Sequence, residues 1–335
     1  MIISRTPYRL SFFGGGTDYP EWYREHGGAV LSAAINRHCY LTCRWLPPFF
    51  AHRSRIVYSR IEDVPDNGAI RHPAVREILR FLGIADGIEI HHAGDLPKMT
   101  GLGTSSSFAV GLLHALHRML DHPAPTPLQL AQEAIHVERD LCREHVGSQD
   151  QTAAAFGGLN HIRFAADGSL DVTPVGLPEE RLAAFESSLM LFFTGFSRYA
   201  SEVVTEQLGN IPRKTRELAE MAAMVPEGLR ILRGNGDLAD FGRLLHESWM
   251  LKRSLSSRVS TPGIDAMYAT ARTAGALGGK IAGAGGGGFL LLFVPPDRRG
   301  SVRNALSTLL HVPFRIDFTG SRILYANPAA LETPT

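Results

Sequence analysis

The chain has 335 residues, 44% of them hydrophobic, and a formal net charge of +1; that is enough apolar material for two domains, and it gives no broad basic face for nucleic acid. The three cysteines, Cys39, Cys43 and Cys142, exclude a dense disulfide framework and fit a reducing, cytoplasmic setting, and the first two lack a second ligand pair for zinc. No apolar run is long enough to span a membrane, and the opening residues lack the apolar stretch of a secretory signal.

In chain order, alternation predicts a strand over 1–13 and a β-rich stretch over 28–45. Ile56-Val57-Tyr58 reads as a short strand. Spacing predicts a helix over 73–83, a strand over 87–92 and a helix over 104–121. Pro123, Pro125 and Pro127 stop that helix, and Thr126 caps the next one, over 127–145. Asp167-Gly168 turns a hairpin between 158–165 and 169–174. A turn-rich segment and the apolar strand 189–194 follow, and they place a boundary between domains 1–185 and 186–335. Helices are expected over 198–209, 212–224, 237–251 and 262–275. A buried strand over 289–294, a helix over 297–310 and a last strand near 314–318 close the chain. Strands mixed with helices, without strict alternation, indicate an α+β fold.

The most informative segment is Pro97-Lys98-Met99-Thr100-Gly101-Leu102-Gly103-Thr104-Ser105-Ser106-Ser107. Its glycines let backbone come close to a bulky anion. Its hydroxyl run lies where a helix begins, with free N–H groups and the positive end of the helix dipole. Taken alone, the segment suits both a phosphate cradle and a glycine turn capped by Thr104 or Ser105. It is neither a Walker loop, because Lys98 precedes the glycines, nor a dinucleotide fingerprint.

Two more runs accompany it in order. Thr6-Pro7-Tyr8-Arg9-Leu10-Ser11-Phe12-Phe13-Gly14-Gly15-Gly16-Thr17-Asp18-Tyr19 is a strand entering a glycine turn, and Lys280-Ile281-Ala282-Gly283-Ala284-Gly285-Gly286-Gly287-Gly288-Phe289 is a second glycine loop. Together the three resemble the motifs of the small-molecule kinases named for galactose, homoserine, mevalonate and phosphomevalonate, the GHMP kinases. Within that family, Phe-Phe-Gly-Gly-Gly-Thr-Asp, Gly147-Ser148-Gln149-Asp150-Gln151 and Gly278-Gly279-Lys280-Ile281 resemble the D-glycero-D-manno-heptose 7-phosphate kinases. The resemblance implies an N-terminal half like ribosomal protein S5 domain 2 and a ferredoxin-like C-terminal half. It also implies ATP and Mg²⁺ as cofactors, transfer to a sugar's anomeric hydroxyl, and a small sugar phosphate as partner, with homo-oligomer formation left open.

The resemblance also distributes roles. Pro97, Gly101, Leu102, Gly103, Thr104, Ser105, Ser106 and Ser107 match the ATP-binding loop. Ser105 matches the serine that ligates Mg²⁺, and Glu138 is the carboxylate expected to share the ion, favoured over Glu133; the bland alternative is a solvated carboxylate paired with Arg139. Asp150 matches the catalytic aspartate, with Arg9 as its cation, the alternatives being a turn aspartate and a strand arginine reaching for solvent. Asp18 matches the aspartate that binds ring hydroxyls, with Gly15, Gly16 and Thr17 beside it. Galactokinases carry a Glu-His pair where this chain has Gly15 and Gly16, which puts galactose in doubt and leaves room for a larger sugar. Gly285 and Gly286, in the last loop, are expected to shape the reacting centre. Arg198 and Lys252, or Arg253, are expected to meet a phosphate at the far end of the acceptor. The fourteen histidines show no metal spacing.

Overall fold

The computed structural model describes residues 1–195 and 200–327. The first half runs β1 (Ile2–Phe13), α1 (Pro20–His26), β2 (Gly28–Trp45), β3 (Ser54–Val57), β4 (Ile61–Val64), α2 (Pro73–Phe81), β5 (Ile88–Gly94), α3 (Thr104–Met119), α4 (Pro127–Ile135), α5 (Gln149–Phe156), β6 (Leu159–Phe164), β7 (Leu170–Pro174) and α6 (Glu179–Ser187). The second half runs β8 (Leu189–Phe193), α7 (Ala200–Asn210), α8 (Thr215–Arg233), α9 (Ala239–Ser254), α10 (Pro262–Thr273), β9 (Gly278–Ile281), β10 (Phe289–Phe293), α11 (Arg299–Ala305), β11 (Leu310–His311) and β12 (Arg322–Ala326).

Two sheets organise the chain. The first has the order β12-β1-β2-β5-β3-β4, and β6 and β7 extend it from β2. Strand β2 is long enough to serve three neighbours: β1 along most of its length, β6 through Gly28–Ala33 and β5 through Cys39–Trp45. The second sheet, β11-β8-β10-β9, is antiparallel throughout. Helices accompany both sheets, an α+β arrangement. The division proposed at 185/186 falls within α6, between the strands of the two sheets, and at the C-terminal end β12 returns to pair with β1.

Helix α3 is buried on nearly all sides and lies against β1 and β2. A Cβ on its Gly111 would stand 2.7 Å from the Thr6 hydroxyl, and the Ser4 hydroxyl donates to the Gly111 carbonyl at 2.9 Å. The missing side chain is what lets the helix settle this close to the strand that carries Arg9. The halves are joined by an aromatic cluster: Phe12 and Phe13 of β1 meet Phe241 of α9 at 5.5 and 4.9 Å, and Phe12 meets Phe185 of α6 at 5.5 Å.

The structure departs from expectation at several elements. The helix expected over 127–145 ends as α4 and continues as a π-helical turn, His136–Leu141, a distortion that often marks functional sites. Helix α8 runs through Pro226, beyond the expected end at 224. The proline removes one backbone bond, but Leu218, Met221, Val225, Leu229 and Leu232 keep a buried stripe that outweighs the loss. The strand expected at 314–318 is only an isolated bridge, Ile35 with Ile316; Pro313 removes a donor there, and the true last strand is β12. The helix expected over 297–310 shortens to α11. Helices α1, α5 and α6 are short and add to the expected set.

Candidate active site

The centre of the site is an ion pair between residues 141 positions apart in the chain. Arg9, on β1, donates through Nε to Asp150 Oδ1 and through Nη2 to Asp150 Oδ2, both at 2.7 Å, and through Nη1 to the Gly101 carbonyl at 2.6 Å. The Arg9 backbone N–H donates to the Leu102 carbonyl at 3.0 Å. One arginine thus fixes both the carboxylate and the glycine loop, in the two-pronged geometry that lysine does not reproduce. Asp150 lies in the first turn of α5 rather than in the turn expected after a single long helix. The N-terminal end of a helix favours its negative charge.

The two glycine loops meet backbone to backbone. A Cβ on Gly101, whose φ is +79°, would stand 2.3 Å from the Ala282 carbonyl oxygen, and one on Gly288 would stand 2.2 Å from that of Thr100. Gly286 N–H donates to Val259 O at 2.8 Å, and Gly285 also lies against Val259. The loop from 97 to 103 then enters α3. Pro97 is exposed and accepts the Thr100 hydroxyl at 2.8 Å, while Leu102 is buried. Of the hydroxyl run, Thr104 is half-buried and Ser105 exposed at the helix start, whereas Ser106 and Ser107 turn inward. Ser107 bonds the carbonyls of Pro7 and Gly103 at 2.8 and 3.0 Å and so anchors α3 to β1.

Asp18 is 1% exposed. Its carboxylate accepts Gly16 N–H at 3.0 Å and a Gln149 side-chain bond, and its carbonyl accepts Ser148 N–H at 2.9 Å. Burial pushes its carboxyl above the usual aspartate range, the nearby Asp150 charge adds to this, and the two hydrogen bonds oppose it. A Cβ on Gly147 would fall 1.9 Å from Asp18 Oδ2, so a larger residue there would displace that carboxylate. Gly15 has ordinary room around it, and Gly16 faces Leu218 of α8. Thr17 departs from its expected role at the sugar: its hydroxyl lies 2.8 Å from the Gly14 carbonyl and 2.9 Å from that of Ala29 and accepts Ala29 N–H, so it is committed to its own turn.

Lys252, at the last turn of α9, is buried and donates to the Gly283 carbonyl. Burial and the Arg9 charge pull its ammonium down to about 8, with Asp18 and Asp150 opposing. It therefore lies buried among the charges of Arg9, Asp18 and Asp150, where the sequence led one to expect it at a phosphate on the far end of the acceptor. The spacing of the motifs carries no information on how the second half folds over the first. Arg198 lies outside the described residues. Arg253 pairs with Asp265 at 2.7 Å.

Glu138 sits in the π-helical turn, 2% exposed. It accepts the Ser106 hydroxyl at 2.7 Å and the Gln151 amide at 2.6 Å, and Ser105 is near enough to add to their effect on its charge. Burial pushes its carboxyl up to about 7, Glu144 adds to this, and the hydrogen bonds from Ser106, Gln151 and Ser105 oppose it. The solvated-carboxylate alternative does not hold. Glu133 points elsewhere, to His117 at 2.6 Å. A buried acid ringed by hydroxyls, with Gln151 Oε1 buried and unpartnered beside it, fits a small divalent ion that takes few protein ligands. Among the described residues there is no cluster of three or more His, Cys, Asp or Glu side chains suited to a metal, and no helix is long and apolar enough to cross a membrane. Ser106, Gln149, Gln151 and Lys280 are residues of this region to which the sequence assigned no more than a place in a motif. Their burial is a tertiary property.

Similarity to known proteins runs the length of the chain. Residues 69–158 match the GHMP kinases N terminal domain and residues 228–311 the GHMP kinases C terminal domain, together just over half of the chain. The D-glycero-alpha-D-manno-heptose 7-phosphate kinase of Campylobacter jejuni is 28% identical over 327 residues, covering 91% of this chain and 93% of that protein. The galactokinase of Pyrococcus furiosus is 27% identical over 345 residues, covering 91% and 92%. A crystal structure of a D-glycero-D-manno-heptose 1-phosphate kinase from Bacteriodes thetaiotaomicron superimposes with a TM-score of 0.80 at 25% identity, over 98% of this chain and 100% of that one. Two domains in the family's order, a shared two-domain fold and the three glycine motifs around one ion pair agree: this chain belongs to the GHMP kinases.

Proposed function

We propose that the protein is an ATP-dependent sugar kinase that phosphorylates the anomeric hydroxyl of D-glycero-D-manno-heptose 7-phosphate. The product is the 1,7-bisphosphate, a precursor of nucleotide-activated heptose for surface polysaccharide. The observation that carries the reading is the convergence of Arg9, Asp18 and Lys252 on Asp150, beside the start of α3. Asp150 accepts or aligns the proton of the attacking hydroxyl. Asp18 accepts from ring hydroxyls. The free N–H groups at the start of α3 and the cations Arg9 and Lys252 meet the phosphate being transferred. Glu138 with Ser105 and Ser106 would hold Mg²⁺, which when bound neutralises charge on the nucleotide's phosphates.

The choice of a heptose phosphate is supported by the Campylobacter relative and by the absence of side chains at Gly15 and Gly16. The galactokinase relative, at nearly the same identity, favours a second reading, a kinase for another sugar such as galactose or L-fucose. A catalytically dead relative is disfavoured by the intact Arg9–Asp150 pair. The test is ADP release across free and 7-phosphorylated heptoses and hexoses. The phosphorylated heptose is expected to win over the free one by about tenfold to a few hundredfold in kcat/KM, the worth of a charge-assisted phosphate contact. Equal values would leave only a GHMP sugar kinase of another specificity.

A further inference from the structure

Lys280 lies on β9, inside a motif that the chemistry above does not use. It is 1% exposed, and such burial is rare for lysine. Its Nζ crosses from the second half to the first and donates to the Phe12 carbonyl at 3.1 Å. Phe12 is where β1 leaves regular pairing: the register with β2 steps from Ser11–Ser32 to Phe13–Leu31 and passes over Phe12. A bulge of this kind re-aims the strand and leaves a peptide group without its ladder partner. Two residues later the chain enters the turn that carries Gly15, Gly16 and Asp18.

We propose that Lys280 is a positioning residue for the acceptor: by holding the Phe12 carbonyl at the bulge, it fixes the direction in which β1 enters the Gly14–Asp18 turn. The Phe12 ring is held by Phe185 and Phe241, contacts that locate the ring and do not themselves set the rotation of its peptide plane. The lysine bond fixes that rotation. Burial, with the neighbouring charges of Lys252 and Arg9, pulls the Lys280 ammonium well below the ordinary lysine range. The contact survives this, because a neutral amine still donates an N–H. Lys280 is buried from solvent, and its amine is hydrogen-bonded to the Phe12 peptide. The inference rests on the reading of that turn as the acceptor site.

The experiment compares wild type with Lys280→Met. Hydrogen–deuterium exchange needs no acceptor: peptides covering 11–19 are expected to exchange at least severalfold faster in the variant, with peptides covering 97–107 unchanged. In steady-state assays, on whichever acceptor wild type phosphorylates best, KM for the acceptor is expected to rise about five- to fiftyfold with KM for ATP unchanged, since small misplacements near the chemistry are costly. Unchanged exchange over 11–19 overturns the proposal. So does a rise in both KM values accompanied by a lower melting temperature, the signature of a merely structural lysine. If the Met variant does not fold, Lys280→Gln, which keeps an N–H donor on a shorter chain, carries the same two measurements and the same expected split at smaller amplitude. Failure of wild type to phosphorylate any sugar sinks the sugar-kinase reading, while the exchange comparison still decides the role of Lys280.

Discussion

Replacing Asp150 by Asn is the most direct test of the reacting centre, because it changes charge and leaves shape almost untouched. Two effects follow from the geometry and they are separable. The first is on stability. Arg9 loses the anion that accepts two of its three bonds and keeps the Gly101 carbonyl. Breaking a buried pair costs about 3–5 kcal/mol. Asp150's side chain is 25% exposed, so water screens part of the loss and the lower end, about 3 kcal/mol, is expected. At roughly 2 cal/mol/K per residue the unfolding entropy of a chain this size is about 0.7 kcal/mol/K, so the melting temperature falls by about 4 °C. The second effect is on rate. An amide cannot take or align the hydroxyl proton as a carboxylate does, and kcat falls by ~10²–10⁴, or about 3–5 kcal/mol of barrier. Coupled ADP-release kinetics at 25 °C, well below either melting temperature, measure the second effect free of the first. Fluorescent-nucleotide titration checks that ATP still binds. A variant that melts earlier yet turns over at the wild-type rate would show that the pair is structural, and the assignment of Asp150 to the chemistry would be wrong.

Three further outcomes are expected. Glu138→Gln and either Ser105→Ala or Ser106→Ala each raise the Mg²⁺ concentration for half-maximal rate, and combining Glu138→Gln with a serine variant adds less than the sum; fully additive penalties would argue against a shared ion. For Lys252, whose ammonium is held at about 8 against an ordinary 10.5, kcat/KM for ATP falls as pH rises through about 8 and the cation is lost, and Lys252→Arg moves that limb upward; a pH profile with the same alkaline limb in Lys252→Met removes Lys252 from the site. The sign for stability is opposite: between those two values the unfolded chain holds a proton that the folded one has released, so burial of Lys252 weakens the fold fully below pH 8 and less as pH rises. Gly101→Ala, with its Cβ 2.3 Å from the Ala282 carbonyl, is expected to lose about 2–4 kcal/mol of stability and to raise KM for ATP, whereas Gly83→Ala, with φ +68° and open space, shows only the cost of the backbone conformation; equal losses at the two sites would mean that the loops do not bear on each other.

Parts of this site are visible in the sequence for a physical reason. Glycine runs mark places where backbone must approach backbone, so both loops and the Gly14–Asp18 turn stand out without any knowledge of the fold. The α3 pattern shows because a helix buried on most sides must be apolar at regular spacing. The partnership of Arg9 with Asp150 does not show in the same way. The two are far apart in the chain, nothing local couples them, and their roles came from resemblance. Ser105 and Ser106 are equally good hydroxyls in sequence. Which of them turns towards Glu138 depends on a π-helical turn in another element, and no propensity in the run His136–Leu141 announces it. Helix α5 is short and alanine-rich, with too little periodicity to be seen, so Asp150 reads as a loop residue.

What the sequence hides most completely is how the second half meets the first: Lys280 reaches across to Phe12, and Lys252 lies among the charges of Arg9, Asp18 and Asp150. Arg9, Asp18, Glu138 and Asp150 come from the first half, and Lys252, Lys280 and the loop after β9 from the second. A lysine on a strand or at a helix end is by default a surface charge, and only the closing of one half onto the other turns Lys252 and Lys280 into buried groups. The aromatic cluster of Phe12, Phe13, Phe185 and Phe241 provides the apolar burial that makes this closure favourable. The same strand end that carries two of those rings leads into the turn with Asp18. Packing between the halves and placement of the Asp18 carboxylate are therefore coupled through three or four residues of β1. Small changes at Phe12 or Phe13, distant from any reacting atom, should alter recognition of the acceptor before they alter binding of the nucleotide.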